Sequence, residues 1–89
     1  MRIKINVTQE DIDKGYKGCP GQCPIARAME RDGYIQPSVN CLAIFFGFDD
    51  KRWIGKLTDE MADFVVLFDK GWSVQPQIFE TEVIVDNRN

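Results

Sequence analysis

The sequence predicts an α+β domain: an antiparallel four-stranded sheet with two helices on one face, in the order β-α-β-β-α-β, ferredoxin-like or a variant of it. Three observations point there. Stretches near both ends alternate polar and apolar residues, the period of a half-buried strand. Two segments carry apolar residues at helical spacing behind Pro24 and Thr58, which are good helix-start residues. Between them, an apolar run is closed by glycine and aspartates, as the first strand of a hairpin would be.

Arg2 to Val7 is the first strand, with Ile3, Ile5 and Val7 inward and Arg2, Lys4 and Asn6 outward. Thr8 then caps one or two helical turns, Asp11 stands at the capping-box position, and Val7 and Ile12 sit where a hydrophobic staple would. Residues 15–24 are a loop, because Gly15, Gly18, Pro20 and Gly21 interrupt any regular element. Pro24 opens the first helix, Ile25, Ala28 and Met29 form its apolar stripe, and Gly33 stops it. Val39 to Phe46 is apolar on both faces, as a strand covered on both sides would be. In the ferredoxin-like order that strand would be an edge, so either the order differs or a second copy covers it. Gly47 to Asp50 is the turn, and Lys51 to Leu57 returns with Trp53 and Leu57 on one side and Arg52, Ile54 and Lys56 on the other. The second helix is capped by Thr58, carries Asp59 and Glu60 in its first turn, and places Met61, Phe64, Val65 and Phe68 on one stripe before Gly71. Gln77 to Val85 closes the sheet with Phe79, Thr81, Val83 and Val85 inward, and residues 86–89 are expected to fray.

A chain of 89 residues makes one domain, spanning 1–89, with a modest core, so self-association is an expected source of further stability. A hydrophobic fraction of 44% and a charged fraction of 28% place it among globular proteins. The net charge of -3 opposes general nucleic-acid binding, which needs a basic surface to release counterions. The first residues alternate instead of forming a leader-like apolar run, and no apolar stretch approaches the roughly 18 residues of a membrane span. The expectation is a cytoplasmic protein with reduced thiols and no membrane partner.

The absence of histidine removes the commonest general base and metal ligand together. Cys19 and Cys23 would need further ligands to hold a metal, and only Cys41 remains. Cys23, just before a helix, stands where the helix field lowers a thiol pKa, yet no base accompanies it. The simpler reading makes Cys19 and Cys23 small buried thiols packing a tight loop and Cys41 a core residue. No catalytic set, metal or cofactor is therefore expected. The same loop has an anion-binding reading: glycines ahead of a helix N-terminus, with Lys14, Lys17 and Arg27 near in sequence. Lys51-Arg52-Trp53 with Lys56 mixes cations with an aromatic that would stack on a base, or else is a solvated hairpin with Trp53 in the core. Tyr16, Tyr34 and Trp72 are interface or pocket candidates. Glu80 and Glu82, with Asp49 and Asp50, read as solvent-face acids rather than a catalytic pair.

The segment from Ile3 to Gly15, the Cys23-Pro24-Ile25-Ala26-Arg27-Ala28 helix start, and Phe64 to Gly71 followed by Val74-Gln75-Pro76 resemble small bacteriophage- and prophage-encoded proteins. In that family a CPIAxA-type helix start and an FDKGxxVxP-type segment recur at about this separation. Arg27 stands where the pattern often has Leu, and Leu67 where it often has Arg. The resemblance implies a small accessory phage protein acting in the host-cell cytoplasm by blocking a host defence. It leaves two routes open: sequestering a nucleotide-type immune signal between subunits of a homo-oligomer, or occluding a host defence protein. A structural accessory role is a further alternative. For the first route the residues singled out are Lys17, Arg27, Arg52 and Lys56 for phosphate and Trp53 for the base; for the second, Tyr34 and Trp72.

Overall fold

A computed structural model describes residues 1–87. The elements are β1 (Arg2–Val7), α1 (Gln9–Lys14), α2 (Pro24–Arg31), β2 (Ile35–Val39), β3 (Ala43–Phe48), β4 (Lys51–Lys56), α3 (Asp59–Asp69) and β5 (Gln77–Val85). The α+β class is as the sequence predicts, with a fifth strand and a third helix. The capped turn after β1 is long enough to be a helix, α1, and its capping box forms: Thr8 accepts from the Asp11 amide while the Asp11 carboxylate accepts from the Thr8 amide.

The sheet runs β1-β5-β4-β3-β2, and every neighbouring pair is antiparallel. The order therefore departs from the ferredoxin-like one, because β5 lies between β1 and β4. This settles why the apolar middle strand is not an edge: β3 is flanked by β4 and by the additional strand β2. Pro37 hides β2 from a reading of the sequence, since proline is confined to edge strands and bulges. Both conditions hold here. β2 is an edge, its register shifts between Ile35 and Ser38, and Gln36 takes a left-handed φ of 46° within that bulge.

The single strand expected over Val39 to Phe46 is thus split. Asn40 breaks it, its side-chain oxygen accepting from the Leu42 and Ala43 amides at 2.8 Å. Cys41 consequently stands exposed in a turn, not in the core. The β3–β4 turn is also shorter than expected. Gly47 and Phe48 belong to β3, and Asp49-Asp50 alone turn the chain with φ of 55° and 58°, as a type I′ hairpin requires.

One face of the sheet carries the core. Ile3, Ile5, Val7, Ile44, Phe46, Phe79 and Val83 meet Ile25, Ala28, Met29, Met61 and Phe64 of the helices. Thr81 is buried with them, its hydroxyl donating to the Lys56 carbonyl at 2.6 Å, while Val85, expected inward, is only half-buried. Helix α2 packs against both β1 and β2, the two edges, so the sheet curls around it. Ala26 and Ala28 permit that approach, being fully buried without bulk. Gly55 permits another: an added Cβ would lie 2.7 Å from Val83 Cγ1 and 2.8 Å from Ile44 Cγ1. Of the C-terminal residues expected to fray, Asp86 is held by a backbone bond from its amide to the Arg52 carbonyl at 2.8 Å; Arg88 and Asn89 lie outside the described residues.

Candidate functional site

The loop between α1 and α2 has no regular structure, so its shape depends on what ties it down. Its own bonds close it: the Tyr16 amide donates to the Gln22 carbonyl at 2.9 Å, and the Gln22 amide to the Cys19 carbonyl at 3.0 Å. Two further bonds anchor it at either side. The Val39 amide at the end of β2 donates to the Pro20 carbonyl at 2.9 Å, and the Gly18 amide donates to Asp69 Oδ1 at the end of α3 at 2.9 Å. Between these anchors the loop, the Asn40–Leu42 turn and one side of α3 enclose a groove of about 330 Å³.

The groove is mostly apolar. Cys23 and Leu57 are buried at its base, Ala62 and Val65 form the helix wall, and Cys19, Cys41 and Val66 lie at the exposed rim. Val66 is 50% exposed at the opening, and Leu42, which follows the lining residue Cys41, is 80% exposed. Asp69 and Asn40 supply polar atoms at the edges. All three cysteines line this one groove. Two of them depart from the expectation of buried packing thiols: Cys19 and Cys41 are exposed, and only Cys23 is buried. Burial raises the Cys23 thiol above its ordinary pKa, with the nearby Asp69 charge adding to it, against the opposing effect of the Ala26 and Ile25 amides. The depressed thiol pKa anticipated from the helix start is therefore reversed. Among the described residues no cluster of cysteines and carboxylates is placed to hold a metal ion.

The residues expected to take a nucleotide do not converge. Arg52 and Lys56 lie on the sheet face away from the helices, whereas Trp53, paired with Phe46, faces the helical layer and is half-buried, packed against the core. Its indole donates to the Phe48 carbonyl at 3.0 Å. Arg52 reaches over Gly47 to the Ile35 carbonyl at 3.5 Å. Lys17 lies against Gly71, at the far end of α3. Arg27 stands in a separate small recess of about 240 Å³ with Lys14, Tyr16, Gln22 and Glu30. Its Nε is 3.9 Å from Asp11 Oδ1, too far for a hydrogen bond, and has no hydrogen-bond partner. The N-terminus of α2 is not open to an anion, because Cys23, Pro24, Ile25 and Ala26 are all buried. Of the two interface candidates, Tyr34 packs its ring edge-on to Phe46 at 4.8 Å and against Phe48 at 5.6 Å. Trp72 is 62% exposed, with the Lys70 ammonium over its ring at 5.5 Å.

One residue that matters to the loop escapes a sequence reading. Asp11 looks like an ordinary capping acid, yet it is buried and accepts from Arg31 Nη1 at 2.7 and 2.8 Å through both oxygens. Arg31 Nη2 also donates to the Asn6 carbonyl at 2.7 Å. Burial opposes ionisation of Asp11, but the Arg31 guanidinium and the Thr8 donors outweigh it and hold the carboxyl below its ordinary 3.8. This pair clamps α1, the C-terminal end of α2 and the end of β1 together, and so holds the two helices that the loop joins.

No protein-family model, curated protein or solved structure matches the chain.

Proposed function

We propose that the protein is a non-enzymatic binding module that acts by protein–protein contact, its groove receiving an apolar side chain from the surface of a partner protein. The observation that carries this reading is a pre-formed apolar hollow with Val66 exposed at its rim. Interfaces concentrate their free energy where an anchor side chain fills such a pocket and water is excluded around it. The loop wall is held by the Val39–Pro20 backbone bond and by the Gly18 amide on the Asp69 carboxylate, so little ordering would accompany binding. Taken with the resemblance to small phage proteins, the partner is a host defence protein that is occluded rather than chemically altered.

A second reading, capture of a nucleotide-type signal, rests on a different observation: the recess where Arg27 Nε lacks a hydrogen-bond partner beside Lys14 and Tyr16. Asp11 and Glu30 border those cations and work against a phosphate, so the groove is the stronger site.

The two are separated by one pair of measurements. Wild type and an Ala62→Phe variant, which fills the groove, are compared in capture from bacterial lysate, with circular dichroism confirming the fold. The groove reading expects a stoichiometric protein retained by wild type and lost with the variant, and protection of Cys19 and Cys41 from alkylation in the complex. Equal retention by both proteins refutes it. Calorimetry with a nucleotide panel that finds micromolar binding, abolished by Arg27→Ala and unaffected by Ala62→Phe, transfers the function to the recess.

A further inference from the structure

The sheet face away from the helices is uncovered, and it is not uniformly polar. Its residues fall into rows across the strands that the pairing registers define. The central row is Ser38, Phe45, Ile54 and Ile84. Ile84 is 66% exposed and Ile54 and Phe45 are half-buried, so an apolar stripe crosses the middle of the open face. Hollows lie on either side of the Ile54–Ile84 pair: one lined by Ala43, Gly55, Lys56 and Glu82, the other by Val85, Asp86 and Asn87.

The rows beside the stripe are charged in a fixed order. The Ile54–Ile84 and Gly55–Val83 pairings put Lys56 of β4 level with Glu82 of β5. On the other side, the backbone bond from Asp86 to Arg52 puts those two residues level. In each row the cation is on β4 and the acid on β5 or one residue past its end. A two-fold axis parallel to the strands, lying between β4 and β5, exchanges these strands without moving a residue along them. It would lay the Lys56 of one copy over the Glu82 of the other, Arg52 over Asp86, and the Ile54–Ile84 pair on itself. Glu80 lies 3.5 Å from Arg2 and 3.6 Å from Lys4, so that acid is neutralised within each copy, whereas Glu82 accepts from Arg2 at 3.1 Å with its side chain still 64% exposed to a second cation.

We infer that this face is a self-complementary surface and that its occupant is a second copy of the chain, related by that two-fold axis. The inference is independent of the groove, which lies on the helical side. Charge order is what selects a second copy over another partner: a foreign surface would have to reproduce both rows, whereas this chain supplies them by symmetry. With the axis between β4 and β5, four strands about 4.8 Å apart overlap along about 20 Å of strand, which offers on the order of 400 Å² per copy. That is below the roughly 800 Å² per partner of a standard interface, so a weak, concentration-dependent dimer is expected.

Sedimentation velocity on the full chain from about 5 to 500 μM tests this. A concentration-dependent shift from a 10.2 kDa species towards its dimer is expected. Ile84→Glu should weaken association by at least about tenfold while leaving the circular dichroism spectrum unchanged, because it places two carboxylates at the apolar centre. Lys56→Glu alone should weaken it by roughly tenfold, since symmetry turns two attractions into two repulsions. The double variant Lys56→Glu/Glu82→Lys restores the row with reversed signs and should return the dissociation constant to within about threefold of wild type. A monomer at every concentration overturns the inference, as does a dimer indifferent to Ile84→Glu. A double variant no tighter than Lys56→Glu overturns the two-fold arrangement.

Discussion

Replacing Arg31 with Met keeps an apolar stem of similar length and removes the charge that faces Asp11. The consequence follows from burial. The Asp11 side chain is 2% exposed and the Arg31 side chain 43% exposed. Without the guanidinium, a desolvated carboxylate is left with the Thr8 donors and with Arg27 Nε at 3.9 Å. Removing one member of a fully buried pair costs about 3–5 kcal/mol. The exposure of Arg31 and the nearby Arg27 charge reduce this to about 2–3 kcal/mol. For a chain of this size that lowers Tm by roughly 10–20 °C. The difference must also depend on pH. Asp11 titrates below its ordinary 3.8 in the folded protein, so its stabilisation is fully present above that value and is lost as pH falls through the lower folded-state value. Wild type and Arg31→Met should therefore differ most near pH 7 and converge as pH falls below 3.8 and through the lower folded-state value, where the carboxyl becomes protonated in both. Urea unfolding followed by circular dichroism at pH 7, 5, 4 and 3 measures this. A difference under about 0.5 kcal/mol at pH 7, or one that stays constant down to pH 3, would refute the reasoning.

Two further outcomes follow from the packing. Gly55→Ala should destabilise by about 1–3 kcal/mol, because its Cβ overlaps Val83 and Ile44, and adding Val83→Ala should recover part of the loss in a double-mutant cycle read by thermal melting. A disulfide-exchange reagent should modify Cys19 and Cys41 in the native protein and Cys23 only in denaturant; rapid native labelling of all three would mean that the base of the groove opens.

Several elements were legible in the sequence because local chemistry alone sets them. Alternation gave β1 and most of β5 their inward faces, as their observed burial bears out. Thr58 caps α3, and Met61, Phe64 and Phe68 are buried as their spacing requires, with Val65 half-buried on the groove wall. The capping box at Thr8 and Asp11 forms. What misled the reading is equally local: Pro37 masked an edge strand, and Cys41 inside an apolar run looked like core until the Asn40 side chain turned the chain there. The groove was only half visible. Its loop stood out by glycine, proline and cysteine content, but the other walls come from residues 39–41 and 57–69, which no spacing rule links to it.

The sequence by itself determined the α+β class, the helix starts, the inward residues of the outer strands and the absence of histidine chemistry, since periodicity, capping and composition act within a few residues of one another. Tertiary structure decided the rest. It placed β5 between β1 and β4, buried Asp11 against Arg31, and brought the cysteine loop against α3. Each of these depends on which distant surfaces lose water together. That is a property of the whole curled sheet and its helices, and no short stretch of chain carries it.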